Sequence, residues 1–147
     1  MTLVNKLSNI DPAGNINVVD GQPLSGYIKG VFTSIVFNSD AFTPEKGSDG
    51  EDNRFLANDF SAVATITLMQ SSDSNDYLSD LHNEDLSTAK KIFTFTHKDS
   101  NGSTLLESSR CYILKFADVT IGNTSQGRAW RIHCPNLKGK VGGNTAL

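Results

Sequence analysis

Metal sites, disulfide frameworks and redox pairs need cysteine or histidine at short spacing, and this chain has little of either. Its two cysteines, Cys111 and Cys134, lie far apart and match no ligand or redox pattern. Each sits inside an alternating segment, where the expected role is a small buried apolar side chain, well ahead of a disulfide. His82, His97 and His133 fall on separate segments without paired-ligand spacing, so no metal and no cofactor is expected. No apolar run approaches the ~20 residues that a membrane-spanning helix needs. Residues 1–8 lack a charged leader followed by an apolar block, which predicts a chain that is not secreted and stays in the cytoplasm where it is made. Cations are scarce as well: 13 Lys and Arg against 16 Asp and Glu leave a net charge of −3. Tight phosphate binding needs clustered cations, so the composition argues against a nucleic-acid grip. The short pairs Lys90-Lys91 and Lys138 with Lys140 read as solvated edges that discourage wrong strand pairing.

Catalytic signatures are missing in the same way. The chain has no Gly-x-Ser-x-Gly elbow, no phosphate-cradling glycine loop ending in Lys-Ser/Thr, no His-Glu-x-x-His and no dinucleotide fingerprint. The acidic run Asp49-Gly50-Glu51-Asp52 lacks the ligand spacing of a helix-loop-helix calcium site and reads as a solvated or partner-contacting loop. A non-enzyme is expected.

What the chain does have is alternation. Across residues 60–69 every even position is apolar, and the odd ones are mostly small or hydroxylated. A period of two places Phe60, Ala62, Ala64, Ile66 and Leu68 on a core face and Ser61, Val63, Thr65, Thr67 and Met69 on the other. Shorter candidate strands occupy 15–19, 31–37, 91–97, 111–116 and 127–137, the last with Trp130, Ile132 and Cys134 on one face and Arg131 and His133 on the other. Asp73 or Ser74 can cap a helix of about three turns carrying Leu78 and Leu81. Residues 38–57 hold Pro44, Gly47, Gly50 and mixed charges, and read as one long loop, a length that tends to be functional or disordered. Antiparallel strands, one helix and no parallel crossover predict a mainly β fold, an antiparallel β-sandwich or barrel with one packed α-helix. It would form one domain over 1–147 with extended N- and C-terminal segments. Phe60, Ile66, Leu68, Phe93, Phe95, Trp130 and Ile132 are its expected core.

The succession Gly47-Ser48-Asp49-Gly50-Glu51, Arg54, Asn58-Asp59-Phe60-Ser61, Thr65-Ile66-Thr67-Leu68 and Ser74-Asn75-Asp76-Tyr77-Leu78-Ser79-Asp80-Leu81 resembles the central block of tail tube proteins from contractile-tailed bacteriophages. Lys98-Asp99-Ser100-Asn101-Gly102-Ser103-Thr104-Leu105, Arg128-Ala129-Trp130-Arg131-Ile132 and Val141-Gly142-Gly143-Asn144 are similar to that family too. The resemblance implies a virion protein made in the host bacterial cytoplasm, which assembles with itself into hexameric rings stacked as a DNA conduit. It also implies tail sheath, tape measure and baseplate proteins as partners, with DNA passing through without specific binding. On that reading the 38–57 segment reaches the adjacent ring, with Glu45, Lys46, Asp49, Glu51, Asp52 and Arg54 as contact residues. Ser61, Val63, Thr65 and Thr67 are then candidates to face the lumen, since a conduit wall should lack Lys and Arg. The alternatives are a tube initiator or terminator sharing the fold, a small β-barrel that binds an apolar ligand, or an enzyme without a visible motif.

Overall fold

A computed structural model describes residues 7–145 of the chain. The strands are β1 (Asn15–Val19), β2 (Gln22–Pro23), β3 (Thr33–Phe37), β4 (Phe42–Lys46), β5 (Asp52–Leu56), β6 (Ala62–Leu68), β7 (Phe93–Asp99), β8 (Leu105–Lys115), β9 (Arg128–Cys134) and β10 (Lys138–Lys140), with one helix, α1 (Ser74–Thr88), between β6 and β7. Strands account for 45% of the chain and their pairings are antiparallel, so the expected sandwich with one helix is the architecture found.

Among the described residues eight strands form a sheet in the order β2-β1-β7-β8-β9-β6-β3, with β10 attached to β8, while β4 and β5 pair only with each other. The eight-stranded sheet bends at β8. Phe93 pairs with Cys111 but Phe95 pairs with Ser108, so Ser109 and Arg110 stand opposite Thr94 alone. That is a β-bulge, and Arg110 absorbs it with a left-handed φ of 61°. The N-terminal half of β8 pairs with β7 and β10, and its C-terminal half pairs with β9. One long strand therefore belongs to two layers. Alternation fills the space between them: Val19, Phe95, Cys111, Ile66, Leu68, Ile132 and Cys134 have no accessible surface, and Phe93, Leu106, Ile113 and Trp130 nearly none. Each large apolar side chain so buried contributes roughly 1.5–3 kcal/mol.

Helix α1 closes the layers at one end by inserting Leu78, Leu81 and His82. Two hydrogen bonds tie it to both layers: Tyr77 Oη donates to the Val19 carbonyl at 2.9 Å, and Trp130 Nε1 donates to Asn75 Oδ1 at 2.9 Å. A polar clasp does similar work nearby. Asn17, fully buried on β1, donates through Nδ2 to Thr33 Oγ1 at 2.9 Å and Tyr27 Oη at 3.2 Å, while its Oδ1 meets His97 Nδ1 at 2.8 Å. Every polar group of that amide has a partner, which is the condition for burying it cheaply.

Four expectations need correction. The strand expected over 60–69 runs only Ala62–Leu68, because the Asp59 carboxylate takes the Ser61 N–H at 3.1 Å and the Ser61 hydroxyl at 2.6 Å, turning the chain before pairing begins. Phe60 consequently leaves the core and is 41% exposed; the other expected core residues are buried. The second strand starts at Thr33, after Gly30 with φ 94°, which leaves Val31 in solvent. The helix has 15 residues, about four turns. The expected long loop over 38–57 instead contains the β4–β5 hairpin. Of the expected terminal extensions, residues 1–6 and 146–147 lie outside the described residues.

Candidate assembly surfaces

The hairpin is built from short-range chemistry. Around its tip the Gly47 N–H donates to the Glu51 carbonyl at 2.7 Å, the Gly50 N–H to the Gly47 carbonyl at 3.0 Å and the Glu51 N–H to Asp49 Oδ1 at 3.1 Å. Gly50 supplies the left-handed turn with φ 91°. Directly opposed residues share a face, so Phe42, Leu56, Pro44, Arg54, Lys46 and Asp52 line one side, and Thr43, Phe55, Glu45 and Asn53 line the other. All ten strand residues are exposed. The Arg54 guanidinium lies 4.3 Å from the centre of the Phe42 ring, a cation–π contact on the first face. Among the described residues, Glu45, Lys46, Asp49, Glu51 and Asp52 form no ion pair. The structure thus brings the six expected contact residues together on one projecting arm, with five of their charges uncommitted.

The base of the arm is pinned. Asn38 N–H donates to the Ser61 carbonyl at 3.0 Å, Asn38 Nδ2 to Ser61 Oγ at 2.8 Å, Ser39 Oγ to Asp59 Oδ2 at 2.8 Å, and Ala57 N–H to the Ala41 carbonyl at 2.8 Å. Hydrogen bonds from Ser61 and Ser39 hold the exposed Asp59 carboxyl below its usual range. These bonds aim the arm as a continuation of the β3–β6 pair.

A second surface is the free edge of β3. Thr67 N–H donates to the Phe32 carbonyl at 2.9 Å and Asn38 N–H to the Ser61 carbonyl at 3.0 Å, so even-numbered residues of β3 turn their backbone groups toward β6. The backbone groups of Thr33, Ile35 and Phe37 then point outward from an edge that, among the described residues, has no neighbouring strand. Beside that edge lies an apolar cleft of about 440 Å³, walled by Val31, Ile35, Phe37, His97, Leu106 and Val141 among others. Sequence reasoning missed this site. Alternation marks a strand but does not say which strand will lack a neighbour.

The third surface is the odd-numbered face of β6. Ser61, Val63, Thr65 and Thr67 are half-buried and Met69 is exposed. Across the sheet, Ser34 and Val36 of β3 continue this face without charge. On the other side Arg131 stands opposite Thr65, His133 opposite Val63, and Lys115 opposite Arg131. The cation-free face is therefore confined to β3 and β6 and ends at β9.

Nineteen large apolar residues of the described chain are exposed, against 18 buried apolar ones. They include Phe42, Phe55 and Leu56 on the arm, Val31, Val36 and Phe37 around β3, and Val119 and Ile121, each 74% exposed, on the β8–β9 connection. Scattered apolar residues are ordinary on a protein surface, but groups of this kind mark interaction sites. Among the described residues no three His, Cys, Asp or Glu side chains converge as a metal site would require. No protein-family model matches the chain. Over 123 residues it is 32% identical to structural protein ORF10 of Pseudomonas phage KPP10, a match spanning 82% of this chain and 71% of that protein. The chain belongs to the family of phage structural proteins that includes structural protein ORF10, and is by that kinship a virion component.

Proposed function

We propose that this structural protein is the tail tube subunit of a contractile phage tail, forming hexameric rings that stack into a conduit for DNA. The observation that carries the reading is the β4–β5 arm, a hairpin with both faces in solvent. A lone two-stranded hairpin is marginal in water, so an arm presenting Phe42, Phe55 and Leu56 on a pinned base is built to be covered by something else. In the tube, the arm lies on the adjacent ring, with Glu45, Lys46, Asp49, Glu51, Asp52 and Arg54 setting register through complementary charge. Within a ring, a strand of the next copy continues the sheet from the free edge of β3 and fills the apolar cleft beside it. The face carrying Ser61, Val63, Thr65 and Thr67 lines the lumen, with sheath, tape measure and baseplate proteins as the remaining partners. The subunit acts by assembly and carries no catalytic role.

Light scattering and electron microscopy of the purified chain test this. Rings or tubes should appear as concentration rises; a chain that stays monomeric at high concentration, with no rings on the grid, refutes the tube reading. Rings that never stack would assign it instead to a tube initiator or terminator. For the lumen, Thr65→Lys with Thr67→Lys should leave tubes intact while making them retain DNA at low salt and release it at high salt. Failure of that variant to assemble would place the face against a neighbour.

A further inference from the structure

Cys111 and Cys134 are 23 positions apart in sequence, yet the fold sets them side by side. The β8–β9 register pairs Tyr112 with His133 and Ile113 with Ile132, which brings Cys111 opposite Cys134. Odd-numbered residues of β6 bond to β3, so its even-numbered residues bond to β9, and Cys134 turns its backbone toward Ala62 of β6. The two cysteines therefore oppose each other as a non-hydrogen-bonded pair, the closer of the two antiparallel kinds, with Cα atoms about 4.5 Å apart in regular sheets. Disulfides span Cα separations of roughly 4.4–6.8 Å, so the backbone needs little movement to admit one. Both residues are fully buried and free; the Cys111 thiol donates to the Ser108 carbonyl at 3.4 Å and the Cys134 thiol to the Ile132 carbonyl at 3.9 Å. The neighbouring thiol draws the Cys111 pKa down, while that neighbour and burial push the Cys134 thiol up, and Cys111 is also the cysteine beside the bulge.

The bulge flanks Cys111. Ser109 and Arg110 lie next to Cys111 in sequence and are exposed. A shallow cleft of about 270 Å³ lined by Glu107, Ser108, Ser109, Asn136 and Lys138 reaches the Ser108 residue whose carbonyl oxygen is 3.4 Å from Cys111 Sγ.

We propose that Cys111 and Cys134 are a modification site, forming an intrachain disulfide that locks β8 to β9 when the protein meets a peroxide-class oxidant. The Cys111 thiolate attacks one peroxide oxygen, the O–O bond breaks, and the departing hydroxide takes a proton to become water, leaving a sulfenic acid. The Cys134 sulfur then displaces that oxygen, the S–S bond forms, and the hydroxyl leaves with the thiol proton as a second water. Two thiols lose two electrons and the peroxide gains them. The lock would staple the strand that belongs to both layers, at the point where the bulge interrupts its pairing.

The test treats the full-length protein with hydrogen peroxide, alkylates remaining thiols and digests with trypsin. The expected product links residues 111–115 to residues 132–138, with the intact chain lighter by two hydrogens and its Tm raised by several degrees, reverting on addition of dithiothreitol. Cys134→Ser should stop at a dimedone-trappable sulfenic acid on Cys111 and show no rise in Tm. If that variant fails to fold, the dithiothreitol reversal on the unaltered chain carries the test. Thiols that remain reduced in the folded protein, cross-links between different chains, or a Tm indifferent to reduction would each overturn the proposal.

Discussion

The β3–β6 and β4–β5 pairings are each five residue pairs long and antiparallel, and they lie end to end along the same run of chain. In β6 every second residue is buried. In β4 and β5 none is. The backbone chemistry is the same in both, so hydrogen bonding cannot explain why one belongs to the body and the other stands off it. Burial does: β6 lies between β3 and β9 and faces a second layer, while among the described residues the arm has no third strand and no covering layer. Whether a strand pair in this molecule joins the body or stands off it follows from what covers its faces.

The largest expected effect separates the two directly. Replacing residues 42–52 with a short glycine-serine link should abolish long tubes while changing the urea-unfolding free energy of the body by less than about 1 kcal/mol, since no arm strand residue is buried. Normal polymerisation of the shortened chain would give the arm some other task. Ile66→Ala, in the body, should cost about 2–5 kcal/mol in the same unfolding measurement, because the surrounding layers cannot collapse onto the space left behind. A loss under about 1 kcal/mol would mean that the interior around Ile66 is loosely packed.

Acidification should sharpen the contrast further. Burial holds the His97 imidazole below its ordinary value of 6.5. The unfolded chain then binds the proton more readily than the folded one, so this contribution to stability is complete above pH 6.5. It is lost progressively as pH falls from there to the lowered folded-state value, below which it is flat. Urea midpoints against pH should show that slope and His97→Gln should flatten it; an unchanged slope would assign it to other groups. The smallest effect is expected at Phe42→Ala, which removes an exposed ring and its cation–π contact with Arg54 and should cost the isolated subunit less than about 1 kcal/mol. If tubes of this variant dissociate at markedly lower denaturant than unaltered ones, Phe42 is a contact between rings.

Much of the body was legible because its core-facing side chains obey a period of two. Phe93 and Phe95, Trp130 and Ile132, and the even positions of β6 are where alternation puts them. Phe60 broke the pattern for a local reason, the Asp59 side chain capturing Ser61, which outweighs one more residue of periodicity. The arm was misread as a loop because its apolar residues, Phe42, Phe55 and Leu56, are few and split between two faces, leaving no one-sided signal to detect. Its charged residues nonetheless fall on one hairpin, since turn chemistry at Gly47 and Gly50 brings them together whether the flanks are loop or strand.

Composition and alternation alone were enough to specify an antiparallel β fold with one helix, because side-chain spacing along a strand depends only on local geometry. Only the tertiary structure decided that β3 would be an open edge, that Arg131 and Lys115 would share a face with Thr65, and that Cys111 would meet Cys134. Each of those depends on which strands become neighbours and in what register. Neighbour choice is a long-range outcome of packing, and no single strand carries it in its own residues.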